Sequence, residues 1–385
     1  MTPTRGFPAS EFKARVAKAQ ARMAEEDLDA LLLTTEPDVR YFTGFLTRFW
    51  ESPTRPWFIV VPAKGDPIAV IPAIGAHLMG QTWITDIRTW RAPDYDDDGI
   101  GLLAETLCSI TRETAKIGVP NQMETHVRMP LCDLQRLKQT LKTREIVGDQ
   151  AIVRSLRMIK TAAEIAKISM ACNIAERAFA RVPEIVGAGV PLSKVFREFQ
   201  ALCLHEGADW VPYLAGAADQ GGYGDVISPA SDDPLLAGDV LMLDTGLVWD
   251  GYFCDFDRNF AVGEPSTAVQ VAHDKLMDAT QAAFAIAKPG ATMCDLFHAM
   301  NAVVNPGGAG SDAGRLGHGL GMQLTEWPSI VPVDHTPLLP GMVLTLEPGI
   351  VVNGDKIMVH EENILVTDGA PQFLSNFQPE KMRIL

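Results

Sequence analysis

The sequence predicts an α+β protein of two domains, a smaller N-terminal α/β domain over residues 1–150 and a larger domain over residues 151–385. Three observations predict it. Short apolar runs alternate with helical patterns up to Asp149, a long helical pattern begins at Ile152, and five acidic or imidazole side chains lie in strand-like segments of the last third or so of the chain. At 385 residues with 47% hydrophobic side chains, the chain can form two sizeable cores.

The N-terminal elements follow from periodicity and from turn residues. An amphipathic helix opens this part, and four short apolar strands follow, with one further helical pattern before the last strand and another after it. The predicted helices are Ser10–Glu26, Ile100–Glu113 and Leu131–Leu141, and the predicted strands are Ala30–Thr34, Trp57–Pro62, Pro67–Ile71 and Lys116–Val119.

In the larger domain, Thr161 and Glu164 form a capping-box pattern within the helical stretch that begins at Ile152. Between and after the remaining helices lie the apolar segments that predict antiparallel strands. The further predicted helices are Pro191–Glu206, Ser266–Ala287 and Met293–Val304.

Two aspartates lie on a predicted hairpin. Asp244 ends the apolar run Val240–Leu243, Asp250-Gly251 is a turn signal, and Asp255 lies in the strand that resumes at Tyr252. We expect Asp244 and Asp255 to lie nearly opposite one another, where their charges repel unless a cation or proton lies between them. The alternative is that each carboxylate accepts hydrogen bonds from turn amides.

Three further candidates occupy similar positions. His318 lies between two glycines, Glu347 follows the apolar strand Met342–Leu346, and Glu361 lies in the predicted strand Lys356–Val366. Four carboxylates and one imidazole are a ligand set for two divalent ions with mainly oxygen donors. Two such ions can share and deprotonate one water, which indicates metal-assisted hydrolysis or lyase chemistry.

The order Asp, Asp, His, Glu, Glu resembles the pita-bread metallopeptidase family, which includes aminopeptidase P, prolidase, methionine aminopeptidase and the non-peptidase creatinase. The resemblance covers essentially the whole chain, because Arg154–Ile165 (RSLRMIKTAAEI) is similar to the segment that opens the catalytic domain in the prolidase and creatinase branch. The other matching segments are DTG before GYFCDFDRNF, GHGLG, LEPG, and EEN before VT.

The resemblance implies a pita-bread catalytic domain, a creatinase-like N-terminal domain and a homodimer. It implies that Asp255 and Glu361 bridge two ions, that Glu347 also transfers a proton, and that Glu362 and Asp257 lie outside the ligand set. The ions could be Mn²⁺, Co²⁺, Fe²⁺ or Zn²⁺, because such a site discriminates weakly among them. The implied ligands are Asp244, Asp255, His318, Glu347 and Glu361, with Glu347 and His318 as catalytic residues.

The sequence departs from the peptidases of this family at three positions. Thr325 stands where a second histidine follows the His318 position, no histidine occurs in Gly224–Ile227, and Val359 replaces a common arginine. Loss of the imidazoles removes donors to the scissile peptide and its oxyanion. The predicted set of metal ligands is thus complete, whereas the residues expected to contact the peptide differ from those of the family's peptidases.

Aromatic residues are candidates for substrate binding around this altered site. The resemblance places Tyr223, Trp249 and Trp327 near the catalytic mouth, and Arg48 and Trp50 form a second group near the N-terminus. Aromatic faces could hold an onium group and an arginine a carboxylate, as in a small zwitterion. Alternatively, these rings pack in a core or a subunit interface.

Composition restricts the partners. A formal charge of −15 argues against nucleic acid or an anionic membrane. The six cysteines show no metal or disulfide spacing and indicate reduced thiols of a cytoplasmic protein. The first residues resemble neither a signal peptide nor a membrane span.

Three functions are compatible with the sequence. The first is a dinuclear metallohydrolase of the Xaa-Pro dipeptidase type, acting on a dipeptide or another small-molecule amide. The second is a metal-dependent enzyme on a small zwitterion, similar to a dimethylsulfoniopropionate lyase or to creatinase. The third is a non-catalytic binding protein, which the complete ligand set disfavours.

Overall fold

A computed structural model describes residues 2–52, 56–307, 314–378 and 381–385. Contacts divide the chain into two compact units, Thr4–Arg157 and a larger one built on Met158–Leu385. The division falls at the end of a short helix, Ile152–Met158, whereas the boundary expected from the sequence lies just before that helix.

The smaller unit is built on a six-stranded mixed sheet in the order β4-β3-β2-β1-β5-β6. Strands β1 to β3 are buried throughout because they consist almost wholly of apolar residues. The strands are β1 (Ala30–Leu33), β2 (Phe58–Pro62), β3 (Ile68–Pro72), β4 (Asp86–Trp90), β5 (Lys116–Val119) and β6 (Glu145–Gly148). The helices are α1 (Ala9–Glu25), α2 (Glu36–Thr43), α3 (Ala76–Met79), α4 (Ile100–Ile110), α5 (Leu131–Thr140) and α6 (Ile152–Met158).

The sequence analysis did not predict β4 and β6, the two edge strands of this sheet. Residues in β4 and β6 are only partly buried or exposed, and both strands contain charged residues. Their pairing with β3 and β5 is parallel, so it depends on neighbours distant in sequence. β4 and β6 therefore lack the continuous apolar run by which the other strands can be predicted from the sequence.

Two helices occupy the stretch in which the sequence predicted one long helical pattern, α6 at the end of the smaller unit and a second helix at the start of the larger one. Thr161 and Glu164 form the predicted capping box, which starts a new helix after α6. The helices of this unit are α7 (Ala162–Ala180), α8 (Leu192–His205), α9 (Thr267–Ile286) and α10 (Met293–Val304).

Antiparallel strands form the rest of this unit. One sheet has the order β18-β10-β8-β7 with β9 on β8, a second has the order β12-β11-β13-β16-β17, and β14 pairs with β15. The strands are β7 (Trp210–Gln220), β8 (Asp239–Trp249), β9 (Tyr252–Phe253), β10 (Phe256–Ala261), β11 (His318–Gly319), β12 (Glu326–Ser329), β13 (Val343–Leu346), β14 (Gly349–Asn353), β15 (Lys356–Val359), β16 (Glu362–Leu365), β17 (Gln372–Phe373) and β18 (Arg383–Ile384).

Buried apolar residues hold the second sheet against two helices. Leu344 and Leu346 of β13 and Ile364 of β16 lie in one core cluster with Ala283 of α9 and Leu296 of α10. Because strand residues alternate between faces, the polar residues between these apolar ones point to the opposite side of the sheet. That side carries the candidate functional groups.

Among the described residues, no helix combines the length and the apolar character that crossing a bilayer requires.

A buried ion pair joins the start of the larger unit to the first residue of β12. Lys160 Nζ lies 3.1 Å from Glu326 Oε2, and both side chains are buried. Glu326 Oε1 also accepts hydrogen bonds from the amides of Met322 and Gln323, at 2.8 and 3.2 Å. The pair therefore fixes the loop that ends at Thr325.

Lys160→Met should lower the free energy of unfolding by about 3–5 kcal/mol, because it leaves a buried carboxylate without its cation. Urea denaturation followed by circular dichroism measures this loss. Lys356→Met is the control, since Lys356 pairs with Asp219 at the surface and its loss should cost less than about 1 kcal/mol. Equal effects of the two substitutions would contradict a structural role for the buried pair.

Candidate metal centre

Strands β8 and β10 carry the two aspartates, with a register that corrects the sequence prediction. Asp257, and not Asp255, lies directly opposite Asp244. The hairpin turns at Asp250-Gly251, as predicted, and with Trp249 opposite Tyr252 this turn places position 257 opposite position 244. Asp255 itself lies in the break between β9 and β10.

The second sheet supplies the other three candidates. His318 begins β11, Glu347 directly follows β13, and Glu361 lies in the gap between β15 and β16. The predicted single strand Lys356–Val366 is therefore two strands. Glu361 therefore lies outside the hydrogen-bonded ladders of both strands. The alternation of side chains between the two faces of a strand does not fix the direction of its side chain.

Glycine before His318 permits a close approach of two chain segments. Gly317 has φ of +139°, and a Cβ there would lie 2.3 Å from the carbonyl oxygen of Thr345. The amide of Glu347 donates to the carbonyl of Leu316 at 2.9 Å. His318 and Glu347 are thus brought side by side because Gly317 has no side chain.

The five predicted ligands converge in two overlapping groups. Asp255, His318 and Glu347 present ligand atoms within 4.8 Å of one another, and so do Asp244, Asp255 and Glu361. Asp255 belongs to both groups. Asp244, Asp255 and His318 are 3–5% exposed, so these groups are withdrawn from bulk water.

Burial and mutual repulsion shift the acidity of the carboxyl groups in the metal-free protein. Burial, and then the charge of Asp257, raises the pKa of Asp244 to about 8. Burial and the charge of Asp244 also raise the pKa values of Asp255 and Glu361 well above the usual range. Burial opposes ionisation of Glu347, but the neighbouring His318 and the Thr345 hydroxyl lower its pKa to about 2.

The imidazole is oriented for ligation through Nε2. His318 Nδ1 lies 2.8 Å from the carbonyl oxygen of Gly319, so this nitrogen carries the proton as the donor. His318 Nε2 then presents a lone pair toward Glu347 Oε1 at 2.9 Å and Asp255 Oδ2 at 3.3 Å. Three acceptors facing one another require a shared cation or proton.

These side chains fit divalent metal ions. Asp244 Oδ1 is buried and has no hydrogen-bond partner within the described part of the chain. An unpaired buried carboxylate oxygen is costly unless a cation compensates it. The donor set of oxygens and one imidazole is also the set that first-row divalent ions bind.

A hydrogen-bonded frame that the sequence did not reveal holds the ligands. Asn363 Oδ1 accepts from the Asp255 amide at 3.0 Å, and its Nδ2 donates to the Asp255 carbonyl. Asp257 Oδ1 accepts from the amide of Glu361 at 2.7 Å. Both contacts join one ligand-bearing sheet to the other. The only sequence signal was that Asn363 follows the two glutamates.

Two acidic residues lie around the site without belonging to the ligand groups found among the described residues. Asp257 binds the Glu361 backbone, and Glu362 pairs with Arg258 at 3.2 Å. Arg258 also binds Glu176 at 2.6 Å, which completes a buried ion network. These acids therefore have partners of their own.

Tyr213 and Arg315 are additional neighbours of the cluster. Burial and the charges of Asp244 and Glu361 raise the pKa of the Tyr213 hydroxyl, which places this group beside the carboxylates. Arg315 donates to the Thr325 hydroxyl at 3.1 Å. Nothing in the sequence singled out Arg315.

The predicted substrate-binding residues of this unit occupy different environments. Thr325 is partly exposed, and its hydroxyl lies 3.5 Å from His318 Nε2. Trp327 is partly exposed and packs against the core of the second sheet. Trp249 is 4% exposed, with the Lys167 ammonium 5.5 Å from its ring centre. Thr325 and Trp327 are thus the accessible members of this set.

The placement of Tyr223 corrects the sequence prediction. This ring is completely buried, and its hydroxyl accepts from the amide of Val359 at 2.7 Å and contacts Asn259 at 3.2 Å. No surface remains with which it could contact a substrate. Tyr223 supports the segment before Glu361.

Arg48 and Trp50 lie in the smaller unit. Trp50 is 7% exposed, packs 5.9 Å from Trp57 and lies under the guanidinium of Arg128, 5.3 Å from its ring centre. Arg48 is exposed and pairs with Glu51. Of the two, only Arg48 offers an accessible polar group.

Comparison with known proteins identifies the family. Residues 166–368 match the model of the metallopeptidase family M24, and residues 15–159 match the creatinase/prolidase N-terminal domain. The chain belongs to the metallopeptidase family M24. This confirms the resemblance found in the sequence, the pita-bread fold with a creatinase-like N-terminal domain, and the assignment as a metallohydrolase. Membership implies that the protein binds divalent metal ions.

Individual M24 relatives match over nearly the full length. The chain is 30% identical to "Probable dipeptidase PepE" of Mycobacterium bovis over 95% of each chain, and 25% identical to Xaa-Pro dipeptidase of Pyrococcus furiosus over 96% of this chain and 99% of that protein. The crystal structure of dipeptidase PepE from Mycobacterium ulcerans superposes with a TM-score of 0.85 at 28% identity, covering 98% of this chain and 99% of that one.

Asn363→Ala should weaken metal binding by roughly 10- to 100-fold, because it removes the amide that holds the backbone of the shared ligand Asp255. Competition with a chromophoric chelator measures the affinity, and near-ultraviolet circular dichroism checks the fold. Asn173→Ala is the control, since Asn173 is exposed and bonds only within its own helix. Unchanged affinity in a folded Asn363→Ala protein would contradict this role.

The metal-free protein should lose stability as the pH rises from about 5 to about 8. The raised pKa of Asp244, about 8, means that the folded state binds more protons than the unfolded chain in this interval, so the free energy of unfolding falls with rising pH. The midpoints of urea denaturation, measured over this pH interval with a chelator present, test this prediction. Asp244→Asn should make the dependence of stability on pH less steep. An equally steep dependence in that variant would show that other groups cause the loss of stability.

Proposed function

We propose that this protein is a dinuclear hydrolase of the Xaa-Pro dipeptidase type, acting on a dipeptide or a similarly small amide. The observation that carries the proposal is the position of Asp255, which belongs to both of the overlapping groups of ligand atoms. A carboxylate shared by two groups of ligand atoms is the arrangement that a pair of neighbouring ions needs.

In this proposal Asp244, Asp255 and Glu361 hold one ion, and Asp255, His318 and Glu347 hold the other. Asp255 bridges them, and Glu361 is the second bridge expected from the family resemblance. Mn²⁺, Co²⁺, Fe²⁺ and Zn²⁺ are all compatible with this donor set. When bound, such ions supply Lewis-acid activation of a carbonyl group and of water.

Residues of the protein itself would transfer the protons and orient the groups that do so. Glu347 is the proposed proton carrier between the attacking water and the departing nitrogen, since a carboxylate within reach of both is suited to general acid–base work. The hydroxyl of Thr345 donates to Glu347 and fixes its orientation. His318, held by the Gly319 carbonyl, keeps Nε2 directed at the same point.

The relatives support a peptide substrate, since they are named dipeptidase and Xaa-Pro dipeptidase. Thr325 lies against His318, at the position where the family's peptidases commonly present a second imidazole. A neutral hydroxyl stabilises an oxyanion less than an imidazolium does. We therefore infer slower turnover than in peptidases that retain this histidine.

Assembly and compartment belong to the same proposal. All six cysteines are free thiols, which supports a reducing, cytoplasmic environment. A homodimer is inferred from the family resemblance, with the exposed Arg48 as the group of the Arg48–Trp50 segment able to reach a neighbour's site.

The test is proline release from a panel of Xaa-Pro dipeptides by protein loaded separately with each of the four ions. Hydrolysis should require metal, and Asp255→Asn should reduce kcat/KM by about three orders of magnitude, because several kcal/mol of charge stabilisation depend on this ligand. Asp239→Asn is the control, since Asp239 is buried at the start of β8, the strand that carries Asp244, and among the described residues its side chain accepts from the nearby Leu236 amide.

Two results would count against the proposal. Full activity in Asp255→Asn would remove the shared ligand from the mechanism. Inert dipeptides, together with turnover of a carboxylated sulfonium or quaternary ammonium compound, would favour an enzyme acting on a small zwitterion.

A further inference from the structure

Gly246 leaves space on the face of β8 that carries a candidate metal ligand. Asp244 and Gly246 are two residues apart on this strand, so they project to the same face. A Cβ at Gly246 would overlap Leu324 Cδ1 and would lie 3.3 Å from Tyr213 Cβ. The side chain of Leu324 therefore fills the space that a larger residue at position 246 would take, on the face where the ligands converge.

Tyr213 lies next to Leu324 on this face. It pairs with Gly246 across β7 and β8, and residues directly opposite each other in a sheet project to the same side. Burial and the charge of Asp244 raise the pKa of the Tyr213 hydroxyl, so this end of the ring reaches the metal centre. Leu324 and Tyr213 are both partly exposed. Together they form a mainly apolar surface beside Asp244, which we call the Leu324–Tyr213 wall.

The loop that carries Leu324 is fixed on both sides of this residue. Glu326 accepts hydrogen bonds from two amides of the loop, at 2.8 and 3.2 Å. The carbonyl oxygen of Gly321 accepts from the amide of Phe253 at 2.8 Å, which attaches the loop to β9. A ligand that overlaps Leu324 must therefore displace an anchored segment, which is unfavourable in the same way as overpacking a core.

The wall adjoins the group of ligands that does not contain the proposed proton carrier. Glu347, which would protonate the departing nitrogen, is grouped with His318, whereas Asp244 belongs to the other group. The acyl part of a substrate extends away from its departing nitrogen. We therefore expect the acyl residue to run toward Asp244 and the Leu324–Tyr213 wall.

We propose that Leu324 is a specificity-determining residue, which restricts the substrate to small acyl residues such as the glycyl and alanyl groups of a dipeptide. This inference rests on the proposed function and narrows its substrate class. A branched or aromatic acyl side chain would overlap Leu324, whereas a hydrogen atom or a methyl group would not. A single methylene group in an apolar pocket changes kcat/KM by about 10- to 200-fold, so the restriction is measurable.

Matched dipeptides test the restriction. The wild-type protein should cleave Gly-Pro and Ala-Pro with a kcat/KM about 100-fold higher than that for Leu-Pro and Phe-Pro. Leu324→Ala should lower this ratio by at least about tenfold, because the truncation opens space beside Asp244. Leu204→Ala is the matched control, since Leu204 is an exposed leucine on α8 and its truncation should leave the ratio unchanged. An unchanged ratio in folded Leu324→Ala would overturn the proposal.

The glycine provides a second test. Gly246→Ala should lower kcat/KM for Ala-Pro by about tenfold or more, because the added methyl group pushes Leu324 toward the substrate. The double variant Gly246→Ala/Leu324→Ala should recover most of this loss, since the methyl group then meets no leucine. Gly187→Ala is the control, because a Cβ there would meet open space within the described structure. A folded double variant that recovers nothing would contradict the contact on which the proposal depends.

Binding separates this inference from the proposed function. Amino acid hydroxamates chelate divalent ions and carry the side chain of an acyl residue. Calorimetry on metal-loaded wild-type protein should show glycine hydroxamate binding at least about tenfold more tightly than leucine hydroxamate, and Leu324→Ala should reduce this difference. Equal affinities in the wild type would overturn the restriction.

The two proposals fail in different ways. No hydrolysis of any dipeptide by the wild type would overturn the proposed function, while a difference between the hydroxamates that depends on Leu324 would still support the restriction. Hydrolysis of all four dipeptides at similar kcat/KM would overturn the restriction and leave the peptidase function intact.

Discussion

Four carboxyl groups, two of them buried and two partly buried, lie within a few ångströms of one another and cannot all be ionised unless positive charge lies among them. Burial and mutual repulsion therefore oppose ionisation of Asp244, Asp255 and Glu361 in the metal-free protein, as the upward direction of their pKa shifts indicates. Binding divalent ions favours the ionised carboxylates, so metal affinity depends on pH. The larger unit must hold these groups together against this repulsion.

The frame that resists the repulsion consists of hydrogen bonds between two sheets. Asn363 holds the backbone of Asp255, and Asp257 holds the backbone of Glu361, so each sheet fixes a ligand carried by the other. Because these bonds act on backbone atoms, they leave the ligand oxygens available. Thr345 has a similar role beside His318 and Glu347.

One side of the site distinguishes this chain from the peptidases whose motifs it shares. Thr325 and Arg315 lie beside His318, where the family pattern leads one to expect a second imidazole. A hydroxyl with a guanidinium nearby thus stands where an imidazole would donate to an oxyanion. The metal site and the substrate site are thus separable, since the ligands are complete while their surroundings differ.

The sequence by itself determined the fold class, the family and the five candidate ligands, because apolar strands, tight turns and glycines are local signals placed next to the chemical groups. It also predicted the helix start at Thr161. Tertiary structure decided the pairing of Asp244 with Asp257, the burial of Tyr223 and the contacts of Asn363 and Arg315. Hairpin register and contacts between sheets depend on residues distant in the chain, so no local pattern could encode them.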